Sequence, residues 1–154
     1  MTRVIRFVSN GHGEDAIACQ LIPFFDRSLY SLVGFPLVGH GSAYKALNIE
    51  SKLTQKQLPS GGFLRRPMDV IRDLLSGLLG RLFWQRRQLL QSPSDLQIVV
   101  GDVFALVMAC WGQKIPTIFL PTAKSERAIP HSAIELYLIK RFAKAVFPRD
   151  KETH

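Results

Sequence analysis

The chain has 154 residues, enough for one compact domain and too few for two ordinary ones. Hydrophobic residues at 47% and charged residues at 21% exclude a disordered tail, and two cysteines exclude a disulfide scaffold or a cysteine-based zinc site. Twenty Lys and Arg against 12 Asp and Glu give a formal +8, which favours anionic partners such as nucleic acid, acidic headgroups or phosphorylated substrates.

Val4 to Val8 reads as a short buried strand, followed by the loop Ser9-Asn10-Gly11-His12-Gly13-Glu14-Asp15. From Ala16 the apolar spacing of Ile17, Cys19, Leu21 and Ile22 suits a helix. A second apolar run, Leu32 to Val38, leads through Gly39-His40-Gly41 into a short helix over Ser42 to Leu47. Lys52 to Thr54 is a minor strand, and Leu58 to Phe63 is a loop by its Pro, Ser and Gly content. Met68 to Leu90 is the longest helical pattern. Leu96 to Val100 is a strand ending at Gly101-Asp102, and Val103 to Trp111 a very apolar helix. Pro116 to Leu120 is another buried strand, Ile134 to Ala143 a helix, and Ala145 to Phe147 begins a last strand. Strands that are apolar throughout and alternate with helices have both faces covered. The expected fold is therefore α/β: a doubly wound, mostly parallel, Rossmann-like sheet.

In such a sheet, ligands bind beyond the carboxyl ends of the strands, where Ser9 to Asp15 sits. Gly11, Gly13 and Ala16 also match the Gly-x-Gly-x-x-Ala dinucleotide pattern in the required setting. Charge argues against that match. A pyrophosphate needs the positive helix N-terminus, and Glu14 with Asp15 already puts two carboxylates there. The second strand also ends without an acid to hold a ribose. Glu14 and Asp15 either stabilise the helix start or hydrogen-bond sugar hydroxyls. His12, between two glycines that let a ligand approach, is a surface histidine or a base toward a hydroxyl.

Asp102 ends the most apolar strand and either caps the next helix or serves as an acceptor-binding or base carboxylate. Thr122, Lys124 and Ser125 follow the next strand, where they suit a hydroxyl or phosphate, or simply ordinary loop polarity. Gly61 and Gly62 form a turn or a binding loop. Between Leu64 and Leu90, Arg65, Arg66, Arg72, Arg81, Arg86 and Arg87 accompany leucines at helical spacing, with Phe83 and Trp84 near the end. That pattern is a core helix with solvated arginines, or an apolar and cationic surface for an anionic membrane. No His, Asp or Glu spacing suggests a metal, no Gly-x-Ser-x-Gly elbow supports a hydrolase, and no nucleic-acid-binding signature occurs. No cofactor and no nucleic-acid partner is expected. No run of 18 apolar residues occurs and the first six residues lack a signal-peptide core, so a cytoplasmic location is expected.

Several segments occur together in a consistent order: Ser9 to Asp15, Pro36-Leu37-Val38-Gly39 with Gly41 and Tyr44, and Leu58 to Phe63. Val100-Gly101-Asp102, Thr122-Ala123-Lys124-Ser125 and Val146-Phe147-Pro148-Arg149-Asp150 complete the set. Over nearly its whole length the chain resembles the N-terminal half of the lipid-A-disaccharide-synthase-related proteins of cyanobacteria. That family is similar to GT-B glycosyltransferases, in which an N-terminal Rossmann-like domain holds the acceptor and a second domain holds the nucleotide sugar. Lipid-A-disaccharide synthase itself has a Gly-Glu-x-Ser-Gly-Asp type of motif, whereas Gly13-Glu14-Asp15 are contiguous here.

The resemblance implies an acceptor-side domain over residues 1–150 and a linker stub over 151–154. It implies a lipid-linked or amphiphilic sugar acceptor, with a nucleotide sugar bound only once a second domain is present. His12 and Asp102 would then be the catalytic pair. Ser9, Asn10, Gly11, Gly13, Glu14, Asp15, Gly61, Gly62, Thr122, Lys124 and Ser125 would be the acceptor-binding set. Arg65, Arg66, Arg81, Phe83, Trp84, Arg86 and Arg87 would face the inner side of the plasma membrane peripherally. A homo-oligomer is compatible with this picture, and the chain alone is expected to be inactive. Two other readings are a non-catalytic binding or membrane-associated module, and a nucleotide-binding Rossmann domain.

Overall fold

Among the described residues six strands, the four longer ones dominated by branched and aromatic residues, pair into one parallel sheet in the order β3-β2-β1-β4-β5-β6. The strands are β1 (Arg3–Ser9), β2 (Tyr30–Pro36), β3 (Glu50–Ser51), β4 (Leu96–Gly101), β5 (Thr117–Pro121) and β6 (Ala145–Val146). The computed structural model describes residues 2–53, 77–122 and 132–148. The helices are α1 (His12–Leu21), α2 (Ser42–Ala46), α3 (Leu78–Gln91), α4 (Val103–Cys110) and α5 (Ala133–Phe142). A single 3-10 turn, Ile22–Phe24, follows α1, with Pro23 where its missing N–H costs nothing.

The period of two along β1 feeds two cores. Ile5 and Phe7 join Ala18, Cys19 and Ile22 of the α1 side, with Tyr44 of α2. Val8 turns the other way, to Leu89 of α3 and Ala105, Leu106 and Ala109 of α4. Ile139 and Phe142 of α5 pack against that second core. The chain thus moves outward from β1 over one face and returns over the other, the arrangement of a doubly wound sheet. The fold is α/β and Rossmann-like.

Local chemistry sets the helix ends. Ser132 and Glu135 form a reciprocal capping box at α5, whose last turn carries Lys140 and Arg141. At α4 the Asp102 carboxylate accepts from the backbone N–H of Ala105 at 2.9 Å. Two sequence expectations need correction. Of the helical pattern expected over Met68 to Leu90, residues 68–76 lie outside the described residues, and α3 starts at Leu78 after Gly77, whose φ of 87 places it in the left-handed region. The minor strand expected at Lys52 to Thr54 is the two-residue β3, paired with Val33 and Gly34 of β2.

One position on β1 departs from the apolar pattern. Arg6 is 1% exposed and is held by the carbonyls of Leu89 and Ser92 at 2.7 and 3.2 Å. It also donates to Oε1 of Gln97 and, at 3.0 Å, to Oε1 of Gln113. A guanidinium only donates, so both amides must turn their oxygens toward it. Gln97 Nε2 consequently donates to Thr117 Oγ1 at 2.7 Å, and Thr117 donates to the Ile115 carbonyl at 2.9 Å. The relay joins α3, β4 and β5 beneath the sheet surface.

Two glycines make a test of packing. A Cβ on Gly34 would stand 2.8 Å from the ring of the fully buried Tyr44, whereas one on Gly13 of α1 meets nothing within 4 Å. Gly34→Ala is expected to cost about 1–3 kcal/mol by overpacking. Gly13→Ala is expected to stabilise by up to about 1 kcal/mol through helix propensity. Paired urea melts check the contrast; equal stability of the two variants would refute this account of Gly34.

Candidate functional site

Strand order reverses at β1, so the carboxyl ends of β1 and β4 open a crevice between them. Close approach of the two strand ends shapes it. Gly101 has φ of 147, and a Cβ there would lie 3.0 Å from Asn10 Cβ, so glycine lets the turns touch. Thr122, just past β5, bonds back to the Gly101 carbonyl through its N–H at 3.0 Å. Its hydroxyl donates to Glu14 Oε1 at 3.1 Å. Asn10, Gly11, Glu14, Asp102 and Thr122 are therefore half-buried neighbours on one sheet edge.

The segment expected as a loop through Asp15 is shorter than that. Helix α1 starts at His12 with extended Gly11 as its N-cap, so His12, Gly13, Glu14 and Asp15 form its first turn. Glu14 folds back over that turn, its Oε2 standing 2.6 Å from where Gly11 would carry a Cβ. The carboxylate thus sits at the positive helix end that a pyrophosphate would need. His12 is exposed, and its ring lies across the loop after β2. A Cβ on Gly39 would be 2.5 Å from His12 Cε1.

Ser9 and Asp15, expected to bind acceptor, are corrected to interior residues with 0% and 1% exposure. The Ser9 hydroxyl donates to Asp15 Oδ1 at 2.5 Å. Having one proton, it then accepts from the Tyr44 hydroxyl 2.7 Å away. This buried triad pins the end of β1 to α1 and α2. Desolvation raises the Asp15 carboxyl above its ordinary 3.8, outweighing the Ser9 hydrogen bond and the nearby His12. Burial likewise drives the Tyr44 phenol upward.

The raised Asp15 value has a definite sign in stability. Above 3.8 the unfolded carboxyl ionises before the folded one, so its contribution to stability falls as pH rises through that window. Asp15→Asn should therefore match the parent best at acid pH and gain on it steadily toward neutrality. Urea melts between pH 3.5 and 7 check this; a difference that does not change with pH would exclude it.

Sequence reasoning missed two supports of the site. Gln85 is 2% exposed and donates through Nε2 to the Leu37 carbonyl at 2.6 Å, holding α3 to the end of β2. Its signal was a glutamine on the leucine stripe between Leu82 and Leu89. The other is Gly39, which seats the His12 ring. Of the arginine-rich set, Arg87 is exposed with Phe83 and Trp84, while Arg81 and Arg86 are half-buried. Desolvation lowers the pKa of Arg81 and Arg86. Gly61, Gly62, Arg65, Arg66, Lys124 and Ser125 lie outside the described residues. Among the described residues, no group of three or more His, Cys, Asp or Glu could hold a metal ion, and no helix is long and apolar enough to cross a membrane.

No family model and no curated protein matches the sequence. Among solved structures, the glycotransferase of kitacinnamycin matches at 19% identity and a TM-score of 0.51, over 79% of this chain and 31% of that one. The chain shares a glycosyltransferase-like fold. It spans under a third of that neighbour's length, and at such identity the likeness concerns architecture alone.

Proposed function

We propose that the chain is the acceptor-binding half of a GT-B-like glycosyltransferase related to lipid-A-disaccharide synthase. The observation that carries this reading is the crevice at the β1/β4 reversal, where Glu14 occupies the helix N-terminus that a nucleotide phosphate would use. A site so furnished suits hydroxyls: Asn10, Glu14, Asp102 and Thr122 offer donors and acceptors to a sugar. The glycosyltransferase-like fold is consistent with it. Residues 1–150 form the acceptor domain.

In the complete enzyme, His12 takes the proton of an acceptor hydroxyl as its oxygen forms a bond to the anomeric carbon of the donor sugar. The bond from that carbon to the diphosphate breaks, and the second domain stabilises the departing nucleotide. Asp102, with one oxygen committed to Ala105, orients a neighbouring hydroxyl. The acceptor is lipid-linked or amphiphilic. Exposed Phe83, Trp84 and Arg87 on α3 support peripheral contact with an anionic membrane face.

The test compares the chain alone with the chain joined to the donor domain of a GT-B glycosyltransferase. The isolated chain should neither bind nor turn over a uridine-diphosphate sugar, and the joined protein should transfer one. Nucleotide-sugar binding by the isolated chain would favour a nucleotide-binding Rossmann domain. A joined protein that binds acceptor without transfer would favour a binding module.

A further inference from the structure

Away from the crevice, α3 and the C-terminal half of α4 enclose an open hollow of about 500 Å³. Leu82, Phe83, Leu90, Met108 and Trp111 form its apolar walls, and Arg86 is its charged member. Phe83 is 75% exposed and Trp111 68%, so large apolar surfaces are left facing water at the mouth. Isolated exposed apolar residues are ordinary, but a contiguous set around a concavity marks a binding surface.

Arg86 makes the hollow chemically specific. Its Nη1 is shut off from water and has no hydrogen-bond partner, while Nη2 lies 3.1 Å from where Gly112 would carry a Cβ. Among the described residues, the ionisable groups that act on Arg86 or sit beside it do not supply an anion. Arg6 is a second cation and Cys110 a thiol that burial keeps protonated. No acidic side chain is among the described lining residues. A half-buried guanidinium with one nitrogen left without an acceptor, lining a hollow that is otherwise apolar, calls for a ligand with both characters.

We propose that this hollow binds one alkyl chain of an anionic amphiphile, whose carboxylate or phosphate monoester head accepts from Arg86. Ligand sites typically pair apolar walls with a few placed polar groups and enclose roughly 300–1,000 Å³. The site is distinct from the crevice: Asp102 starts α4, whereas Trp111 and Gly112 lie beyond its other end, about 12 Å along the helix axis. It does not rest on the glycosyl-transfer reading and stands or falls without it.

The chain has two tryptophans, and Trp84 does not line the hollow, so Trp84→Phe leaves Trp111 as the reporter. That protein is titrated with dodecanoate and dodecyl phosphate below their micelle concentrations, with dodecanol and acetate as controls. Both anionic amphiphiles should shift Trp111 emission to the blue, dodecanol should bind at least about tenfold more weakly, and acetate not at all. Arg86→Gln should weaken dodecanoate at least about tenfold and leave dodecanol unchanged. Leu90→Glu, at a half-exposed wall position, should abolish both with the far-ultraviolet circular dichroism intact. Equal affinity for dodecanoate and dodecanol, or an Arg86→Gln variant that binds like the parent, would overturn the proposal. So would binding only to phosphatidylglycerol vesicles, which would reassign the patch to general membrane contact.

Discussion

Arg6→Ala is expected to lower the stability of the chain by about 3–5 kcal/mol. Truncation removes a large side chain from the middle of β1, where Arg6 also lies over the Phe35 ring at 5.5 Å. It takes a donor from the Leu89 and Ser92 carbonyls and from the Gln97 and Gln113 side-chain oxygens, of which Leu89 keeps the Ser92 N–H at 3.4 Å and Gln97 is fully buried. One term runs the other way. Burial makes the Arg6 charge costly, pushing its pKa down to about 10, and removing the charge relieves that cost. The loss still dominates, because the volume of a large side chain is lost and the buried Gln97 oxygen is left unpaired, which alone costs about 1–3 kcal/mol. Arg6→Met, which keeps much of the volume, isolates the polar part and should cost about 1–3 kcal/mol. Chemical denaturation of parent, Arg6→Ala and Arg6→Met decides it. A methionine variant as stable as the parent would mean that the relay contributes nothing net.

The second large effect follows from the proposed sugar transfer and is read in a protein that carries it out. His12→Ala should lower sugar transfer by about 10²–10⁴-fold, the usual contribution of a positioned general base. Because His12 is exposed, stability should change little. Gly39→Ala is the companion variant. Its Cβ would collide with His12 Cε1 at 2.5 Å, and its φ of 89 suits glycine. Gly39→Ala should therefore reduce kcat while the His12 side chain is still present, at a stability cost of about 1–3 kcal/mol from backbone strain. In the double variant the Gly39 change should add no further loss of kcat, since it acts on transfer through His12. A His12→Ala enzyme with full activity would remove the base assignment, and additive losses in the double variant would remove the seating role of Gly39.

Much of the architecture was legible in the residues. Apart from Arg6, Gln97 and Thr117, the runs Val4 to Val8, Leu32 to Val38, Leu96 to Val100 and Pro116 to Leu120 were apolar on both faces, as expected when helices cover both sides of the sheet. The Asp102-x-x-Ala105 cap and the Ser132-x-x-Glu135 box lie within one helical turn, so sequence spacing nearly dictates them. The first helix was placed too late because Gly11 to Asp15 has loop composition, and composition does not show that Glu14 folds over the helix start.

The parallel α/β pattern, the crevice at the end of β1 and the electrostatic case against a phosphate were thus determined by the sequence itself, through periodicity and charge within a few residues. The tertiary structure alone decided which polar groups are buried and which are left at the sheet edge. Ser9 and Asp15 turn inward to Tyr44, 35 positions from Ser9 in the chain. Arg6 finds acceptors 83 and 107 positions away. Glu14 meets Thr122 at a separation of 108. Such pairs satisfy buried donors and acceptors that local patterns cannot match, because the partner exists only once distant strands lie side by side.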